Sequence, residues 1–211
     1  MTSEKLPIGI QDFETVITDG YSYVDKTKWI YQLINQGKSY FLSRPRRFGK
    51  SLLVSTFAAL FSNKRYLFKD LWIDKSDHTW VEYPIIRLDM SGVNNQTPEL
   101  FERSLIRTLV EIADTHGFTL RGETSSDFLA NLIDQLAINS RIVVLVDEYD
   151  KPIIDQLENM QIAKKNSDIL QRFYTIFKVK DAKLKFLFLT GVTKFSKVSL
   201  FSGLNNLDDI S

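Results

Sequence analysis

Ser43-Arg44-Pro45-Arg46-Arg47-Phe48-Gly49-Lys50-Ser51 and Ile142-Val143-Val144-Leu145-Val146-Asp147-Glu148 are the two stretches on which the reading of this chain turns. The first follows a short apolar run, Tyr40-Phe41-Leu42, and ends in Gly-Lys-Ser. The second is five apolar residues closed by two adjacent carboxylates. In a phosphate-binding loop of the form Gly-x-x-x-x-Gly-Lys-[Ser/Thr], the glycines let backbone N–H groups turn toward phosphate. The lysine reaches the outer phosphates, and the hydroxyl serves Mg²⁺. The following helix adds its positive N-terminus. Gly49, Lys50 and Ser51 match that pattern, but Arg44 stands where the first glycine belongs. An arginine suits a left-handed backbone poorly, so the start of the loop is expected to depart from the usual path. Taken alone, the stretch also reads as a basic surface turn.

The acidic stretch completes the pair. A nucleoside-triphosphate site needs a second strand that delivers a carboxylate near the metal. Asp147 fits that role, and Glu148 is placed to polarise a water as general base. The competing reading makes both carboxylates a helix N-terminal stabiliser. Thr190 and Thr193 follow a further apolar run, 186–189, where a hydroxyl could meet the outer phosphate, or simply cap a loop. Asp150 and Lys151 read as a surface pair, and Trp29, Tyr31 and Phe57 as core. No Asn-Lys-x-Asp guanine reader occurs, which favours ATP over GTP.

Outward from these motifs, the periodicity predicts helices over 27–36, 50–61, 98–116, 125–136 and about 169–177, with Thr27 and Thr97 as N-caps. Strands are expected at 40–42, 84–89, 142–147 and 186–189. The last two are apolar at every core position, as in strands buried on both faces of a parallel sheet. Alternation of strand and helix predicts the α/β class. Residues 1–20 read as an irregular arm, 21–25 as a short strand, and 66–80 as irregular surface with one short helical turn. The chain divides into an arm and helix, 1–38, and a core, 39–211.

Composition limits the alternatives. The chain has 211 residues, no cysteine, two histidines and a net charge of +1. That excludes disulfides and a thiolate metal site, and gives no global charge for nucleic acid. Neither a leader nor a membrane span is legible, so a cytoplasmic protein without membrane attachment is expected.

Four ordered blocks carry a family resemblance: Tyr23-Val24-Asp25-Lys26-Thr27; the segment from Phe41 to Leu52; Val146-Asp147-Glu148-Tyr149-Asp150-Lys151-Pro152; and the segment from Leu189 to Ser196 with that from Phe201 to Leu207. The chain resembles the AAA-ATPase-like proteins of bacteria. The resemblance implies a P-loop NTPase of the additional-strand class, an α/β fold with a parallel sheet of order 5-1-4-3-2 flanked by helices. It makes the Arg-rich loop a family trait and implies ATP and Mg²⁺ as ligands. Arg44, Pro45, Arg46, Arg47, Phe48, Gly49, Lys50, Ser51 and Leu52 would hold the nucleotide, with Tyr23 and Asp25 near the adenine. Ser51 and Asp147 would hold the metal, while Glu148, Lys50 and Thr190 would serve catalysis. It also implies a PD-(D/E)XK nuclease-like domain in longer relatives, and leaves open a homo-oligomer and a nucleic-acid partner. The expected fifth strand and helical lid are not legible before Ser211, so weak hydrolysis by this chain is expected. The alternative is a nucleotide-gated binding or scaffold module with little catalysis that regulates a nuclease-like or nucleic-acid-associated partner domain.

Overall fold

Every residue of β3 (Ile142–Asp147) is buried, and the reason is its place in the sheet. In the computed structural model, which describes residues 5–193 and 207–211, five parallel strands run in the order β2-β3-β4-β1-β5. The others are β1 (Ser39–Ser43), β2 (Ile85–Asp89), β4 (Leu184–Gly191) and β5 (Asp208–Asp209). This is the order implied by the family resemblance, with β4 between the loop strand and the acidic strand.

Side chains alternate across a strand, so each central strand feeds two cores. Ile142, Val144 and Val146 of β3, with Leu187 and Leu189 of β4, share one apolar cluster with the buried faces of α4 (Pro98–Thr115), α5 (Ser125–Leu136) and α7 (Met160–Val179). Val143 and Leu145, with Phe186 and Phe188, pack on the other face against α2 (Thr27–Gln36) and α3 (Lys50–Phe61). Phe13 of α1 (Phe13–Thr18) joins that second cluster, so the N-terminal segment contributes to the same core as the sheet. A short α6 (Lys151–Ile154) links β3 to α7.

Several expectations are corrected. A fifth strand is present: Asp208 and Asp209 pair in parallel with Tyr40 and Phe41. It is only two residues long, too short to carry a periodicity signal. Residues 13–18 are helical rather than irregular, because Asp12 caps them by accepting from the Thr15 N–H at 2.9 Å. Thr27 is the first residue of α2 rather than its cap; its N–H and hydroxyl both donate to Asp25. Segment 21–25 makes only an isolated bridge, Tyr21 to Lys5. Between 65 and 75 lie two 3₁₀ turns, Arg65–Phe68 and Trp72–Lys75, where one short turn is expected from the sequence. Thr97 caps α4 as expected, accepting from the Leu100 N–H, with Pro98 in its first turn. The blocks at 194–196 and 201–206 lie outside the described residues.

Candidate nucleotide site

The ends of β1, β4 and β3 lie side by side, and the site is built on them. Register brings Ser43 opposite Gly191, and Val146 opposite Leu189. The Arg44 N–H donates to the Gly191 carbonyl at 3.2 Å, and the Ser43 hydroxyl to the Val192 carbonyl at 3.1 Å. The loop therefore leaves β1 tied to the tip of β4.

Arg44 is not a left-handed residue. The positive φ angles of the loop fall on Arg47, at 67°, and on Gly49, at 72°. Strain is thus carried at the fourth loop residue, and the first position needs no glycine. Lys50 is buried, and its Nζ donates to the carbonyls of Arg44 (2.9 Å) and Pro45 (3.0 Å). Arg46, Arg47, Gly49, Lys50, Ser51 and Leu52 line one side of a cavity of about 680 Å³. Arg44, Pro45 and Phe48 are exposed and are not in its lining.

Glu148 faces the same cavity. It is left-handed, at φ 50°, immediately after β3, and this turn breaks the alternation of the strand. Its N–H donates to Asp147 Oδ1 at 3.0 Å, and its carbonyl accepts from the Lys151 N–H at 2.9 Å, opening α6. Partial burial pushes the Glu148 carboxyl up from its ordinary value. The negative charges of Asp147 and Asp89 push it further, against Lys151 and Arg46. Asp147 is buried and accepts at Oδ1 from the Thr190 hydroxyl as well. Among the described residues, Asp147 Oδ2 accepts no hydrogen bond. Ser51 and Asp147 offer a hydroxyl and a carboxylate, the hard oxygen donors that Mg²⁺ takes.

Asp150 is not half of a surface pair. It is buried, and its carboxylate accepts from the N–H groups of Val192 and Thr193 and from the Thr193 hydroxyl. Lys151 instead pairs with Asp155 at 3.0 Å. Tyr149 is also buried; its N–H donates to the Thr190 carbonyl and its hydroxyl to the Thr193 carbonyl. Its ring lies so close to Gly191 that an added Cβ there would meet Cε1 at 2.3 Å. Glycine is required at that point by the close approach, not by its backbone angle.

Tyr23 and Asp25 are not in the cavity lining. The Tyr23 ring packs on Phe13 with centroids 5.0 Å apart, and burial pushes its hydroxyl up in pKa. Asp25 accepts from the N–H groups of Thr27 and Trp72 and so joins the start of α2 to the 3₁₀ turn Trp72–Lys75. Pro7, Ile8, Gly9, Ile10 and Gln11, within the segment expected to be an irregular arm, also line the cavity and form a strap at its lip. The cavity is thus cationic at the loop and largely apolar at this strap.

A family model described as "Predicted AAA-ATPase" matches residues 7–201. The chain belongs to this AAA-ATPase-like family. The match begins at Pro7, so it includes the strap as well as the loop and the acidic strand. Family membership supports an ATP-binding, ATPase-like module. A protein of Azotobacter chroococcum mcd 1 described as "Uncharacterized protein in vnfD 5'region" is 44% identical over 214 residues, covering 100% of this chain and 42% of that relative. The chain therefore spans about two-fifths of the relative's length. No solved structure matches. Among the described residues of this AAA-ATPase-like chain, no helix is long and apolar enough to cross a membrane, and no cluster of three or more metal-ligating side chains occurs.

Proposed function

We propose that the chain is a Mg²⁺-dependent ATPase module whose phosphates lie between the loop 44–51 and Glu148. The observation that carries this reading is that Arg46, Arg47, Lys50, Ser51 and Glu148 line one cavity. Cationic groups and a helix N-terminus on one side suit a triphosphate. A carboxylate opposite suits a base for the attacking water. Lys50 would exchange its two carbonyl partners for the outer phosphates. Ser51 and Asp147 would hold Mg²⁺, which when bound neutralises charge on the phosphate oxygens. The Thr190 hydroxyl fixes the orientation of Asp147 by donating to Oδ1, and Oδ2 would then serve the metal. The raised Glu148 carboxyl makes a stronger base than a free glutamate once ionised. The base end of the nucleotide would meet the apolar strap, where Pro7, Ile8 and Ile10 offer contact without charge.

Calorimetric titration with Mg-ATP, paired with phosphate release, tests this. Lys50→Ala should weaken ATP binding about tenfold to a hundredfold, the worth of one or two charge-assisted bonds. Glu148→Gln should keep affinity and lower turnover about 10²–10⁴-fold. Variants that bind and hydrolyse like the parent would sink the assignment. Tight binding without turnover in the parent would point instead to a nucleotide-gated scaffold.

A further inference from the structure

The strap at the lip of the cavity has few bonds of its own. Ile8 is 86% exposed. Its N–H donates to the Leu6 carbonyl, that of Ile10 donates to the Pro7 carbonyl, and Gly9 is left-handed at φ 78°. Its position is set from its two ends. Upstream, Lys5 bridges to Tyr21, its carbonyl accepts from the Ser22 N–H at 2.8 Å, and its ammonium lies 3.9 Å from the Tyr21 ring centroid.

Downstream the anchor is different in kind. The Ser55 hydroxyl donates to Asp12 Oδ1 at 2.9 Å and accepts from the Phe13 N–H at 2.9 Å. Asp12 Oδ2 meanwhile accepts from the Thr15 N–H and hydroxyl, so both carboxylate oxygens are engaged. The Phe13 ring is fully buried against Tyr23 and Phe68. Ser55 is itself buried in α3, one helical turn beyond Ser51. The element that presents Lys50 and Ser51 to the cavity therefore also holds the far end of the strap.

We propose that Asp12 and Ser55 are positioning residues that seat the strap over the nucleobase, so that recognition of the base depends on a hydroxyl of the helix that grips the phosphates. The proposal rests on the nucleotide-site reading and adds to it a device for selecting the base end. The hydroxyl is needed because the same atom must donate a hydrogen bond to Asp12 and accept one from the Phe13 N–H. An alanine serves neither and leaves a buried N–H without an acceptor. Threonine retains both functions.

The test compares Mg-ATP with Mg-tripolyphosphate, which has the phosphates but no base. Ser55→Ala should bind Mg-ATP about tenfold more weakly, the consequence of losing one such anchor, with tripolyphosphate affinity unchanged. Ser55→Thr should keep both affinities. If Ser55→Ala binds Mg-ATP like the parent, or loses both ligands equally, the positioning role is overturned while the nucleotide site stands. If the parent binds neither ligand, the nucleotide-site reading falls and takes this proposal with it. Should Ser55→Ala fail to fold, amide hydrogen exchange on the parent asks the same question. Mg-ATP must protect residues 7–13, and tripolyphosphate must not. Equal protection by both, or none by Mg-ATP, overturns the proposal.

Discussion

The floor and the rim of the candidate site are built on opposite principles. The floor joins residues 147–150 to residues 190–193, through bonded pairs more than forty positions apart in sequence. Asp147, Tyr149, Asp150 and Thr190 are all buried, and they bond mainly to one another or to the intervening backbone. The rim consists of the loop 44–49 and the strap 7–11, which are mostly exposed. Loop and strap take their shape mostly from local backbone angles and neighbouring carbonyls. A buried network transmits any misfit to its partners because its interior is close-packed. An exposed loop can adjust. The floor should therefore respond to substitution as a core does, and the rim as a ligand contact does.

Gly191→Ala should break the floor most severely. The added methyl would sit 2.3 Å from Tyr149 Cε1 and 2.8 Å from Asp150 Oδ1, and the Tyr149 ring is held by packing on Phe41 and by its hydroxyl bond. Overpacking of this kind costs about 1–3 kcal/mol, readable as a lower urea midpoint. An unchanged midpoint would mean that the floor yields as the rim does.

Asp12→Ala addresses the anchor of the rim and should cost about 0.5–2 kcal/mol near neutral pH, as lost N-caps do. Burial pushes the Asp12 carboxyl up, but the bonds from Thr15 and Ser55 outweigh it, and the net value lies below the ordinary 3.8. A depressed carboxyl contributes stability above its unfolded pKa and loses it as pH falls through the folded value. The gap between parent and variant should therefore hold from neutral pH to about 5 and narrow below about 4. A gap that is constant with pH would show that the charge of Asp12 has no part in it.

Arg47→Gly should have the smallest effect on folding. It relieves a left-handed arginine at the expense of a more flexible unfolded chain, leaving stability within about 1 kcal/mol of the parent. Mg-ATP affinity should nevertheless fall several-fold through loss of one cation at the cavity. A loss of stability larger than that of Gly191→Ala would reverse the distinction between floor and rim.

The same distinction decides what could be read from the chain. The loop is contiguous, and its chemistry is visible as Gly49, Lys50 and Ser51 in a row. The acidic strand is visible because five apolar residues end in carboxylates. By contrast, the role of Asp150 depends on two N–H groups of the 192–193 turn, which no local pattern announces. The strap was missed for a similar reason: its link to the site is a hydroxyl in α3, 43 positions from Asp12. The spacing of Asp12 and Thr15 did hold a cap signal, which would have revealed α1. Arg44 misled by analogy, since the left-handed turn falls three residues later, at Arg47.

β4 lies between the strand that carries the loop and the strand that carries the acids, paired in parallel with both and in unbroken register with β3 from Val143 to Val146. It therefore acts as a gauge block. Two interstrand spacings set the separation of β1 and β3 at about 10 Å, and this distance cannot drift while the ladders hold. A phosphoryl group held by the loop would meet its metal and its water across a gap whose width is set by main-chain hydrogen bonds alone. Side-chain changes in the loop can then alter how firmly a nucleotide is held without altering where its reacting end falls.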